Sequence, residues 1–148
     1  WFKKEDIDQP DLLVHLRPTT PLRDTKIINK AIIQFLQVKE ATSLRSAHVL
    51  EESPHKMFIR DGDYFRPFMQ GEGEFFNRPR QEFPHVFAPN GVVDILRADH
   101  ILKTKNLHGN HIFAFITSKV IEVDTEENLA ELQEKYMNCP LWQYMSKS

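Results

Sequence analysis

The chain has 148 residues, 41% hydrophobic and 27% charged, with a formal net charge of −2 and one cysteine, Cys139. This length fits one domain with a real core, and the balanced charge argues against nucleic acid as a partner. No apolar run is long enough to span a bilayer, nothing at the N-terminus resembles a signal peptide, and a lone thiol excludes an internal disulfide, so we expect a cytoplasmic protein with no membrane partner.

A strand, a helix and a second strand are predicted in the first part of the chain. Residues 11–16 (DLLVHL) form an apolar run typical of a buried strand, and residues 17–23 (RPTTPLR) must be a loop because two prolines interrupt them. Asp24 or Thr25 can cap the amphipathic helix that follows, which would cover one face of a sheet. Residues 43–50 predict the next strand. This order implies a βαβ unit with parallel pairing and a right-handed crossover.

The middle of the chain predicts an antiparallel excursion. Residues 57–66 indicate a hairpin around an Asp-Gly turn, and residues 70–89 read as a long functional loop or arm. Later elements are strands at residues 91–96, 111–116 and 120–123, a short helix at 98–103 and a last helix at 125–137. The predicted fold is α/β, with a Rossmann-like, mostly parallel sheet, flanking helices and the excursion at 57–89.

Two carboxylates in residues 121–125 (IEVDT) form the first candidate site. Alternate side chains of a strand share a face, so Glu122 and Asp124 would point the same way and suit Mg²⁺ at a strand end. Alternatively, Asp124 or Thr125 caps the last helix, and the spacing alone favours the cap. Both interpretations hold if the cap is Thr125.

Two loops carry arginines that can bind an anion. Arg17 and Arg23 flank the proline-containing loop, although composition alone favours a turn with an exposed Arg23. Arg80, with Lys56 upstream, fits an anion site and a solvated basic loop equally well. The Asn90-Gly91 pair before a predicted strand, at residues 90–91, indicates a turn or a close approach of a ligand to the backbone.

Taken in order, four segments resemble the CMP-N-acylneuraminate (sialic acid) cytidylyltransferase family. Where the family has QPTSPLR after a strand, residues 17–23 read RPTTPLR. Its His-Pro segment with a following Lys matches residues 53–56 (SPHK), and its RQxxP leading to NGA matches residues 80–84 (RQEFP) leading to residues 90–92 (NGV). Its closing IDIDT before a helix matches residues 121–125. The likeness covers most of the chain, and it is the order of the four motifs that makes it specific.

The resemblance implies that CMP passes from CTP to a nonulosonic (sialic-acid-like) sugar acid, with release of pyrophosphate. Charge neutralisation dominates such transfers, and the resemblance implies Mg²⁺ held by Glu122 and Asp124. It implies Lys56 and Arg80 as catalytic residues that bind the sugar acid. The remaining substrate-binding residues that it implies are Arg17, Thr19, Thr20, Arg23, Asn90, Gly91 and Asp94.

The resemblance also implies a homodimer, in which the excursion at residues 57–89 contacts the partner and reaches its site. The family begins with a strand and a Gly-, Arg- and Lys-containing loop around the CTP phosphates, and nothing in this sequence matches them. We therefore expect residues 1–148 to be a single, partial nucleotidyltransferase domain that lacks its N-terminal CTP-binding loop and is inactive alone.

Three residues depart from the family pattern. Glu122 replaces an Asp, Arg17 replaces a Gln, and Asp94 replaces an aromatic residue. Because Arg17 and Asp94 carry opposite charges, we hypothesise that they pair, or together read a polar group absent from N-acetylneuraminate, as in legionaminic acid. Two alternatives stay open: another sugar nucleotidyltransferase of the same fold, and a non-catalytic relative that dimerises or binds a ligand.

Overall fold

The structure is a computed structural model that describes residues 8–136. Its elements are β1 (Leu12–His15), α1 (Thr25–Gln37), β2 (Ser43–Val49), β3 (Phe58–Asp61), β4 (Tyr64–Pro67), β5 (Phe87–Arg97), α2 (Ala98–Thr104), β6 (Ile112–Ile116) and α3 (Glu126–Tyr136). Cys139 and the predicted end of the last helix at Met137 lie outside these residues. Within them, no helix has the length and apolar character needed to cross a membrane.

Four strands form one mixed sheet in the spatial order β1, β5, β2, β6. β5 runs antiparallel to both of its neighbours, and β2 pairs in parallel with β6. The α/β class is therefore confirmed, whereas the prediction of a mostly parallel sheet is wrong for the described strands. The predicted direct pairing of the first two strands is also wrong, because β5 lies between β1 and β2.

The position of β5 has a physical reason. This strand has eleven residues, and residues 90–96 are all buried. A strand with this much buried surface is most stable in the centre of a sheet, where both edges are paired. In sequence, β5 follows the long excursion, so its place between β1 and β2 could not be inferred from the order of the earlier elements.

The helix α1 covers one face of this sheet, as predicted. The Asp24 carboxylate caps the helix by accepting a hydrogen bond from the Lys26 N–H at 2.8 Å. The core beneath the helix consists of Ala31, Phe35, Ala41, Leu44, Val92, Val93, Ile95 and Phe115. Arg97 packs at the C-terminal end of α1. Its guanidinium lies 4.6 Å from the Phe35 ring centroid and donates to the carbonyls of Val38 and Ala41.

β3 and β4 form the predicted hairpin as a separate two-stranded sheet. Gly62 takes the left-handed conformation at its turn, with φ of 60°. The side chains of Tyr64 and Phe65 are 81% and 74% exposed, so the hairpin presents aromatic surface to its surroundings. Its proposed contact with a second copy stays a prediction.

Candidate functional site

Arg23 ties the loop after β1 to the central strand β5. Its Nε donates to the carbonyl of Val92 at 2.9 Å, and its Nη2 donates to the carbonyls of Gly91, at 3.0 Å, and of Arg17. Burial lowers the pKa of Arg23. With its donors directed at backbone oxygens, Arg23 positions the loop and is not the exposed side chain that composition favoured.

Gly91 is the point at which three separate segments meet. Its N–H donates to Oε1 of Glu122 at 3.1 Å, and its carbonyl accepts from Arg23. A Cβ at this position would collide with Oγ1 of Thr20, so only glycine fits between the loop and the strand. Thr20 is 1% exposed. The close approach predicted at Gly91 is thus made by the chain's own loop, and the alternative of a turn is wrong because Gly91 lies inside β5.

The predicted strand at residues 120–123 is absent, since these residues have no regular structure. They are held instead by a hydrogen bond from the Val123 N–H to the Thr19 carbonyl, at 2.7 Å, and by the contact of Glu122 with Gly91. The alternation that placed Glu122 and Asp124 on one face therefore does not apply. The helix cap is Thr125, whose Oγ1 accepts from the Asn128 N–H at 3.2 Å.

Glu122 and Asp124 retain the chemistry that Mg²⁺ requires. In residues 8–136 there is no group of three or more His, Cys, Asp or Glu arranged around a common metal position. Mg²⁺ is commonly held by one or two carboxylates together with phosphate oxygens and waters. Gly91 engages one oxygen of Glu122, and Asp124 is exposed. The assignment of Mg²⁺ to this pair stays a prediction.

Asn90 connects this region to the end of β6. Its side chain is buried and donates to Oγ1 of Thr117 at 2.9 Å. The main-chain carbonyl of Asn90 accepts from Oγ of Ser46 at 3.1 Å, and the Ser46 hydroxyl accepts from the Val93 N–H at 3.0 Å. Asn90 therefore has a positioning role, because its hydrogen bonds go to Thr117 and Ser46. Thr117 and Ser46 belong to no sequence motif, which is why sequence reasoning missed them.

An open cleft of about 600 Å³ lies at the carboxyl ends of β2 and β6. Its lining includes Arg80, Thr117 and Lys119. A neighbouring cleft of about 320 Å³ brings Lys56 and Arg80 together. Both volumes lie in the range of small-molecule sites, and the carboxyl ends of parallel strands are a common place for ligands.

A row of charged residues crosses the sheet on the face opposite α1. Asp94 is 3% exposed, and its carboxylate lies 3.5 Å from Nη2 of Arg17 and 3.6 Å from Nε of Arg45. The predicted pairing of Arg17 with Asp94 is confirmed. Arg45 was missed because it stands opposite Asp94 only through the pairing of β2 with β5.

His108 lies near these charges. Burial is the main cause that lowers its pKa, Arg45 and Arg17 lower it further, and Asp94 acts in the opposite direction. Its Nδ1 is buried and has no hydrogen-bond partner among the described residues. The lowered pKa and the unpartnered Nδ1 favour the neutral form of His108.

The predicted site residues fall into two adjoining groups. The group around Gly91 comprises Arg17, Thr19, Thr20, Arg23, Asn90 and Glu122, with Asp94 joined to it through Arg17. The second group is Lys56 and Arg80. Asp124 instead lines a separate pocket with Thr125 and Leu129. Thr117 joins the two groups, because it bonds to Asn90 and also lines the larger cleft. No protein-family model matches the sequence, so the family resemblance rests on the four motifs.

Gly91→Ala should lower the free energy of unfolding by about 1–3 kcal/mol, because the added Cβ overpacks against Thr20. Thr20→Ala removes that hydroxyl, so the double variant should regain most of the loss. Urea unfolding of the two single variants and the double variant measures this coupling. Strictly additive effects would contradict the contact.

Stability should fall as the pH drops below about 6.5, the ordinary pKa of histidine. The pKa of His108 is lower in the folded chain, so the unfolded chain binds its proton more readily, and the stabilisation is complete only above that pH. His108→Gln should flatten this dependence. The test compares the urea unfolding midpoints of the unchanged chain and of His108→Gln at acidic and neutral pH. The same dependence of the midpoint on pH in both proteins would contradict this role of His108.

Proposed function

We propose that this chain is the sugar-acid-binding part of a cytidylyltransferase that transfers CMP from CTP to a nonulosonic sugar acid. The observation that carries the proposal is the convergence of residues 17–23, 90–92 and 121–125 at Gly91. Lys56 and Arg80 line the adjoining clefts. If each motif had only a local structural role, the three segments would not need to meet. The proposal includes a Rossmann-like domain in which the phosphate loop expected from the resemblance completes the site.

The proposed roles follow from the charge and position of each side chain. Arg80 and Lys56 are exposed in the clefts, and the planar guanidinium of Arg80 suits the carboxylate of the sugar acid. Holding this carboxylate orients the attacking hydroxyl toward the α-phosphate of CTP. Mg²⁺ on Glu122 and Asp124 would neutralise charge on the phosphates. The Gly91 N–H fixes one oxygen of Glu122 and so orients its carboxylate.

A ligand-binding protein without turnover is the second candidate. One oxygen of Glu122 is already engaged by the Gly91 N–H, which leaves this carboxylate less free to bind a metal. Glu122 is also longer than the Asp of the family. These two points favour a site that binds a sugar acid and does not activate CTP.

The decisive assay for the proposed function uses a protein that also carries the phosphate-binding loop, incubated with CTP, Mg²⁺ and a panel of sugar acids. We expect pyrophosphate and a CMP-sugar from at least one nonulosonic acid, and no product from residues 1–148 alone. Arg80→Met should lower kcat/KM by about 100-fold or more, because it removes a charge that holds the substrate. Arg78→Met, a neighbouring exposed arginine outside the clefts, is the matched control.

Absence of product from the protein with the phosphate loop would contradict cytidylyl transfer. Binding of a sugar acid without product would favour the second candidate. Turnover by the purified 148-residue chain would contradict the need for the loop.

The Arg17–Asp94 pair should set the choice of sugar. Arg17→Gln combined with Asp94→Tyr restores the family pattern at both positions, so we expect the ratio of kcat/KM to move toward N-acetylneuraminate and away from legionaminic acid by about tenfold. Thermal unfolding of the same variant shows whether the fold is retained. An unchanged ratio in a folded variant would rule out this role.

A further inference from the structure

The larger cleft carries charges of both signs that do not pair with each other. Arg80 and Lys119 supply cations from two separate segments, and Glu51 and Glu52 supply carboxylates just after β2. Across residues 8–136, none of the ion pairs joins one of these cations to one of these carboxylates. All four side chains are exposed. Their charges are therefore accessible to a ligand in the cleft.

A polyhydroxylated anion matches this combination of charges. An ammonium or guanidinium group donates to an anionic group, and a carboxylate accepts hydrogen bonds from hydroxyls. Met57 and Val49 line the same cleft and offer apolar surface to the C–H groups of a sugar ring. A small anion without hydroxyls, such as sulfate, would gain nothing from Glu51 and Glu52 and would be repelled by them.

The segment that carries Lys119 is fixed to the sheet. The Thr117 N–H donates to the carbonyl of Ala47 at 2.9 Å, and Oγ1 of Thr117 accepts from Asn90 at 2.9 Å. Lys119 follows two residues later and lines the cleft with an exposed side chain, so the fixed position of Thr117 limits where Lys119 can lie. Such an arrangement favours binding, because less freedom is lost when the ligand arrives.

We propose that Lys119 shares the anionic group of a sugar acid with Arg80, and that Glu51 and Glu52 accept hydrogen bonds from its hydroxyls. Lys119, Glu51 and Glu52 belong to none of the four motifs. The choice of a sugar acid as ligand rests on the proposed function, whereas the transfer of CMP is not needed for this binding.

The test measures dissociation constants by NMR titration without CTP. The probes are N-acetylneuraminate and legionaminic acid, each as the free acid and as the methyl ester, which keeps the hydroxyls and loses the charge. We expect the free acid to bind more tightly than its ester. Lys119→Met should weaken the acid about tenfold and leave the ester unchanged. Glu51→Gln with Glu52→Gln should weaken the ester more than the acid, because the weaker hydrogen bonds to hydroxyls affect both forms and only the acid also loses the repulsion between like charges.

Lys103→Met is the matched control, since Lys103 pairs with Asp99 on α2 and lies outside the cleft. The Lys103→Met variant should bind every probe as tightly as the unchanged chain does. An equal effect of Lys119→Met on acid and ester, an effect no larger than that of Lys103→Met, or no binding of any probe would overturn the proposal. If the affinities change as expected but the transfer assay gives no CMP-sugar, cytidylyl transfer is contradicted and the role of Lys119 in binding stands. If CMP-sugar forms but the affinities do not change as expected, the role of Lys119 is contradicted and cytidylyl transfer stands.

Discussion

The close approach of the loop at residues 17–23 to Gly91 is the constraint on which the rest of the site depends. Thr20 can lie against the backbone of β5 only because Gly91 has no Cβ. The peptide groups of Gly91 then bond outward, to Glu122 through the N–H and to Arg23 through the carbonyl. Two segments distant in sequence are thereby fixed to the central strand, which the core beneath α1 holds in place.

Elements with a local signal could be predicted from the sequence. The α1 helix begins after the capping Asp24, and the hairpin turns at Gly62, as their residues indicated. The sheet order could not be predicted, because the insertion of β5 between β1 and β2 depends on burial over the whole chain. Residues 120–123 have the β-branched character of a strand, but the Val123 N–H bonds to the Thr19 carbonyl in a loop, so tertiary contacts override the propensity.

The candidate site shows the same division. Gly91 and the pair of Arg17 with Asp94 could be anticipated, since each follows from residue type or opposite charge. Arg45 and Lys119 could not, because only strand pairing and the path of the chain after β6 bring them to the site. Arg23 was misjudged from composition, since an arginine beside prolines in a loop gives no sign that its donors will meet backbone carbonyls.

We propose that the Gly91 region and the cleft at the ends of β2 and β6 form one sugar-acid site. An amide chemical-shift map of the labelled protein, recorded while legionaminic acid or N-acetylneuraminate is added, tests it most directly. We expect concerted shifts at Gly91, Thr117 and Lys119, with the amides of α2 (Ala98–Thr104) unmoved. Shifts that leave Gly91 and Thr117 unchanged, or no shift with either sugar acid, would contradict it.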